Sequence, residues 1–201
     1  MLREALRTQH SAPWFPVDFH SLGSSIEFIT LEPSHAYEVA GLSVTSIKQF
    51  HTGDSYGYRF SQGGKSIVYS TDCEHKSSQL DETYPFVEFY RNADLLIFDA
   101  MYSLGDSVSV KEDWGHSSNV VAVELAQAAR VRRLVLFHHE PAYDDRMLEE
   151  IFADTVRFEA ISRRARGIPG HGIPGHGVPG DGVPGDGVEV ISAYDGLELE
   201  L

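Results

Sequence analysis

GYRFSQGGKSIVYSTD, residues 57–72, decides the fold. Two runs of strand-forming residues flank Gln62-Gly63-Gly64, a turn sequence that demands glycine, so the stretch is a β-hairpin. Its second strand ends on a carboxylate, Asp72. Upstream, IEFITLE (26–32), a turn at PSHAYE (33–38) and VAGLSVTSIKQF (39–50), divided at Gly41, extend the hairpin into a β-meander. Downstream the pattern changes. ADLLIFDA (93–100) and VRRLVLFHH (131–139) are short apolar runs bounded by charges, as expected of strands buried on both faces. Between and after them lie helical periods: a polar stretch from Ser77 to Asn92, NVVAVELAQAA (119–129) capped by Ser117 or Ser118, and DDRMLEEIFADTVRF (144–158). VEVISAYDGLELEL (188–201) reads as a closing strand pair. Strands first and β-α-β alternation afterwards define an α/β architecture.

The remaining segments carry less. Leu2 to Thr8 suits a short helix, and APWFPVDF (12–19) an extended, proline-punctuated stretch. Residues 167–187 repeat Gly-Ile/Val-Pro-Gly-His/Asp, which favours serial type II turns and resembles the elastin pentapeptide. They divide the chain into a domain over 1–166, a flexible, disordered insertion, and closing strands over 188–201 that return to that domain. His171 and His176 lie in this repeat and are read as part of a linker, not as a metal tract.

At 201 residues the chain is long enough for a sizeable core, and 42% hydrophobic residues make it globular. A formal net charge of -14 argues against bulk binding to a nucleic-acid backbone. The basic runs Arg130 to Arg133 and Arg163 to Arg166 are read as solvated surface. A single cysteine, Cys73, excludes an internal disulfide and suits a reducing compartment. With no signal-like or membrane-length apolar run, the sequence predicts a soluble, cytoplasmic protein.

Four polar residues stand where strands pass into loops: His51 in QFHTGDSYGYRF, Asp72 in YSTDCEH, His116 in WGHSSN and His138 in LVLFHHEP. A lone histidine at a strand end is ordinarily just hydrogen-bonded. Open α/β sheets, however, place their ligands beyond the carboxyl ends of strands, and imidazole with carboxylate is the donor set of hydrolytic metal sites. Cys73, next to Asp72, and His139, next to His138, point to the opposite face by strand alternation and are expected to be non-ligands.

This order of motifs resembles the metallo-β-lactamase fold in its phosphodiesterase branch, which holds ribonuclease Z and the phosphoribosyl cyclic phosphodiesterases. The resemblance runs from about Ile26 to Phe158. It implies that His51 and His138 are zinc or manganese ligands, that Asp72 bridges two metals, and that His116 protonates the leaving oxygen with Asp99 orienting it. It further implies a phosphoester or nucleotide-type substrate. The family's His-x-His-x-Asp-His loop has no counterpart here, since His10, His20 and His35 are isolated. The fold expected is therefore the C-terminal half of the family's αββα sandwich, and the metal site one of weak or single-ion occupancy. Whether the chain is itself an enzyme stays open. A truncated hydrolase, a non-enzymatic remnant acting through interactions, and one half of a split enzyme or homo-oligomer all fit the sequence.

Overall fold

The computed structural model describes residues 2–76, 83–107, 113–168 and 187–201, which fall into two units, 1–32 and 33–201. The first unit carries α1 (Leu2–Gln9), in line with the sequence, and a single 3-10 turn at Phe19–Ser21 whose Asp18 side chain accepts from the His20 amide. The Arg3 guanidinium lies 4.8 Å from the centre of the Phe28 ring. IEFITLE does not form the expected strand. Its alternation of apolar residues finds no ladder partner, and without one a strand does not exist.

The second unit is one seven-stranded sheet in sequential order, β1 (Tyr37–Val39), β2 (Leu42–Lys48), β3 (Tyr56–Gln62), β4 (Lys65–Ser70), β5 (Leu95–Asp99), β6 (Arg133–Phe137) and β7 (Glu189–Ser192). Pairing is antiparallel from β1 to β4 and parallel from β4 to β7. The β3–β4 hairpin turns at Gly63 and Gly64, with φ of +58° and +79°, a left-handed pair that glycine adopts without penalty.

Helices α2 (Pro85–Tyr90), α4 (Asn119–Ala128) and α5 (Asp145–Ala165) accompany the parallel half, with a single turn, α3 (Leu104–Ser107), after β5. The polar helix expected over 77–92 begins only at Pro85, because proline suits the first helical turn and restricts the residue before it. Residues 77–82 of that prediction lie outside the described residues. Ser118 caps α4 by accepting from the Val121 amide, and Asp144 caps α5 from the Met147 amide. The last helix runs seven residues beyond the predicted Phe158, through Ala165, closing with Arg163 and Arg164 in its final turn. The closing pair is one strand only: β7 pairs with β6, and LELEL (197–201) joins no ladder.

The core forms between the sheet and α2, α4 and α5. Val68, Leu96, Phe98, Leu134 and Leu136 meet Val87, Tyr90, Val123, Leu125 and Ala126 there, all buried. On the other side of the sheet, the ladder registers place Tyr58, Phe60, Ile67, Tyr69, Ile97 and Phe137 together, with Tyr69 and Phe137 still 39% and 37% exposed. No helix among the described residues is long and apolar enough to cross a membrane.

Strand direction fixes where chemistry can gather. β2 and β4 are both antiparallel to β3 and so run the same way, and β5, β6 and β7 are parallel to β4. The C-terminal ends of five strands therefore lie along one edge, and His51, Asp72, Asp99 and His138 are carried there.

Candidate metal centre

Asp72 and His138 share an unusual backbone. Each follows the last residues of a strand in the left-handed region, with φ of +58° and +60°. A non-glycine residue there costs on the order of 1 kcal/mol and is tolerated where surrounding structure holds it for a purpose. The turn swings each side chain off the strand line. It also removes the strict alternation that the sequence reading applied to the neighbouring residues.

The Nε2 atoms of two histidines converge on one oxygen of Asp72. His138 Nε2 lies 3.5 Å from Asp72 Oδ1 and His51 Nε2 lies 3.8 Å from it. These are longer than hydrogen bonds and close to the ~3.3 Å that separates two donors each about 2.0–2.1 Å from a tetrahedral zinc. The His51 tautomer suits the same role. Its Nδ1 donates to the Thr52 carbonyl at 2.8 Å, leaving the Nε2 lone pair free to bind. The donor set and its spacing therefore fit a cation at each histidine with Asp72 between them.

His116 sits beside both ligand candidates, with ring centres 5.1 Å from His51 and 5.0 Å from His138. Its Nδ1 donates to Asp99 Oδ2 at 2.7 Å. Asp99 is fully buried at the end of β5, and its carboxylate also accepts the Cys73 amide at 3.1 Å and the Met101 amide at 3.2 Å. The hydrogen bond to Asp99 raises the His116 pKa, burial opposing it in part, with the charges of Asp99, Asp72 and Glu74 adding to the rise. Clusters of ligand atoms within 4.8 Å can be drawn as His51, Asp72 and His116, or as Asp99, His116 and His138. The second is the weaker choice of ligands, because three N–H groups already occupy Asp99.

The loop bearing His116 is shaped by residues that the sequence reading passed over. Glu74 accepts the amides of Asp113 and Gly115 at 3.0 Å each. Gly115 has a φ of +89°, and a Cβ there would stand 2.6 Å from the His51 ring, so only glycine lets the two loops approach. An open cleft of about 450 Å³ adjoins His51, lined by Phe50, Glu74, Lys76, Asp113 and Gly115 among others, with Lys76 paired to Asp113 at 2.7 Å. Gly115 was legible as a glycine before a functional histidine. Glu74 has no such signal.

Cys73 is fully buried, desolvation pushes its thiol up to about 12, and it belongs to neither cluster. Among the described residues His139 Nε2 is buried without a hydrogen-bond partner and belongs to neither cluster, while burial lowers its pKa. His171 and His176 lie outside the described residues, as does the rest of the repeat from 169 to 186.

The chain belongs to the beta-lactamase superfamily domain family, whose model matches residues 2–139. Among curated proteins, ribonuclease Z of Thermoplasma acidophilum is 38% identical over 82 residues, which is 41% of this chain and 24% of that protein. The probable metallo-hydrolase YhfI of Bacillus subtilis is 27% identical over 111 residues, 55% of this chain and 41% of that one. The crystal structure of YhfI, a metallo-beta-lactamase fold protein, superposes with a TM-score of 0.51 and 24% identity over 61% of this chain and 47% of that chain, a likeness of fold. The chain thus spans between a quarter and two fifths of the curated relatives it matches.

Proposed function

We propose that this chain carries one side of the active site of a metal-dependent phosphodiesterase. His51, Asp72 and His138 would hold divalent cations, zinc or manganese. Such ions lower the pKa of a water and polarise a phosphoryl oxygen. His116 supplies the proton. Its Nδ1–H is committed to Asp99, which leaves Nε2 for the departing oxygen, and the raised pKa favours the protonated form that can donate there. The observation that carries this reading is the buried Asp99–His116 pair standing beside two imidazoles that share one carboxylate oxygen.

The ligand count bears on how the site works. Among the described residues, one histidine per ion plus a shared carboxylate falls short of the three protein ligands usual in catalytic zinc sites. We infer that the remaining donors come from a segment outside these 201 residues, of the His-x-His-x-Asp-His kind that the family resemblance implies. The test is hydrolysis of bis-p-nitrophenyl phosphate with added zinc or manganese. The chain alone should run near background. Mixed with the His-x-His-bearing portion of a relative, it should turn over, with His138→Ala abolishing activity and His116→Ala lowering it about 100-fold. Absence of turnover in every arrangement overturns the reading.

A further inference from the structure

A chain of buried polar side chains runs from the aromatic core to the backbone under Asp72. Gln49, Ser70, His75, Tyr84 and Tyr90 are all buried, yet none is a ligand candidate and none contacts the cleft chemistry directly except through Gln49. The contacts are sequential. Tyr84 OH lies 2.7 Å from His75 Nδ1, His75 Nε2 lies 3.3 Å from Tyr90 OH, and Tyr90 OH lies 2.7 Å from Ser70 Oγ. Ser70 Oγ in turn lies 2.7 Å from Gln49 Oε1. At the far end Gln49 Nε2 meets the carbonyl of Thr71 in a short contact, the carbonyl of Asp72 at 3.3 Å, and Ser55 Oγ at 2.9 Å.

The direction of this chain follows from what each atom can do. Two backbone carbonyls only accept, so the Gln49 atom facing them is the amide nitrogen, and Oε1 faces Ser70. Oε1 only accepts, so Ser70 spends its one proton there. The Tyr90 hydroxyl must then donate to Ser70, and having no second proton it accepts from His75 Nε2–H. His75 Nδ1 is left as an acceptor for the Tyr84 hydroxyl. Any other assignment for the neutral groups leaves two lone pairs facing each other in a buried site, at 2.7 Å for the Ser70 contacts and at 3.3 Å between His75 Nε2 and Tyr90 for the Nδ1–H form of His75, which costs about 1–3 kcal/mol. His75 also reaches the opposite loop, its backbone amide donating to Ser117 Oγ, which donates to the Cys73 carbonyl.

We propose that Gln49 is a positioning residue for the Asp72 carboxylate, and that His75, held as its Nε2–H tautomer, sets the direction of the chain that orients Gln49. Asp72 needs such a device because its left-handed backbone has no ladder of its own. The amide of Gln49 clamps the two carbonyls on either side of that turn, fixing where the carboxylate points. The role in metal binding rests on the metal-site reading above; the chain and its direction do not.

Two experiments separate these claims. Long-range proton–nitrogen NMR on histidine-labelled protein should find His75 protonated at Nε2 and bare at Nδ1; an Nδ1–H form overturns the chain. Gln49→Met, which keeps the volume and removes the donors, should weaken zinc binding about tenfold or more, and Ser70→Ala should weaken it in the same sense. Asp94→Asn disturbs β4 at its other end, where Asp94 accepts the Ser66 amide, and should lower thermal stability with zinc affinity unchanged. Equal losses of affinity in all three variants would mean a merely structural role and would overturn the proposal. If the unmodified chain takes up no zinc, the metal reading fails, and the backbone amide signals of Asp72 and Cys73 still decide. They should move in Gln49→Met and in Ser70→Ala, and unmoved signals overturn the clamp.

Discussion

The two halves of the sheet hold their site residues by different means. In the parallel half, β4 to β7, strands are covered by helices, and Asp99 sits at zero exposure with three N–H donors around it. In the antiparallel half, β1 to β4, His51 stands on a loop, fixed by a bond to its own neighbour's carbonyl and by the close approach of Gly115. One half holds its histidine through buried charge, while the other fixes one by backbone shape. Loss of a partner should therefore be costly in the first and mild in the second.

Asp99→Ala sets the upper end of that contrast. It strands the Cys73 and Met101 amides and the His116 Nδ1–H in a buried place, and should cost about 3–5 kcal/mol in urea unfolding. The His116 pKa, followed by NMR, should fall. Because that pKa is raised in the folded chain, its stabilising contribution is complete below about 6.5 and is lost as pH rises through the raised value.

Acid stability probes the same half through His75. Burial lowers its pKa from 6.5 to about 3, so between those values the unfolded chain binds a proton that the folded chain refuses. Stability should fall as pH drops through this window, by up to ~1.4 kcal/mol per unit. His75→Gln should flatten the slope, and an unchanged slope would assign the acid sensitivity to other groups.

Gly115→Ala tests the antiparallel side. The left-handed φ and the collision with the His51 ring should cost about 1–2 kcal/mol and shift the His51 ring signals more than those of His138. Lys48→Ala removes an exposed pair with Asp54, 2.9 Å apart with side chains 60% and 66% exposed, and should leave the urea unfolding midpoint essentially unchanged.

Much of this contrast was legible in the residues. Gly63-Gly64 announced the hairpin, LLIFD and RLVLF their burial, and the Ser117-Ser118 pair the start of α4, because each rests on local rules. The misreadings share a cause as well. IEFITLE and LELEL both alternate apolar residues, but strandhood needs a partner that alternation cannot supply. The last helix was read short because its final turns are rich in arginine and lack an apolar stripe. Of the candidate site, strand-end placement and family resemblance name His51, Asp72, Asp99, His116 and His138, and the structure brings these side chains together. Gln49 and His75 carry no motif, and their roles emerge only when hydrogen-bond partners distant in sequence are brought together.

Cation binding by His51 and His138 through Nε2, on either side of Asp72, is the proposal on which the rest depends. The most direct measurement is a zinc titration of histidine-labelled chain followed by nitrogen NMR, run beside Asp72→Ala. The account predicts that the Nε2 signals of both histidines shift, that His116 keeps its Nδ1–H, and that Asp72→Ala removes the response. Zinc-induced shifts confined to other histidines, or a response at His51 and His138 that survives Asp72→Ala, would contradict it.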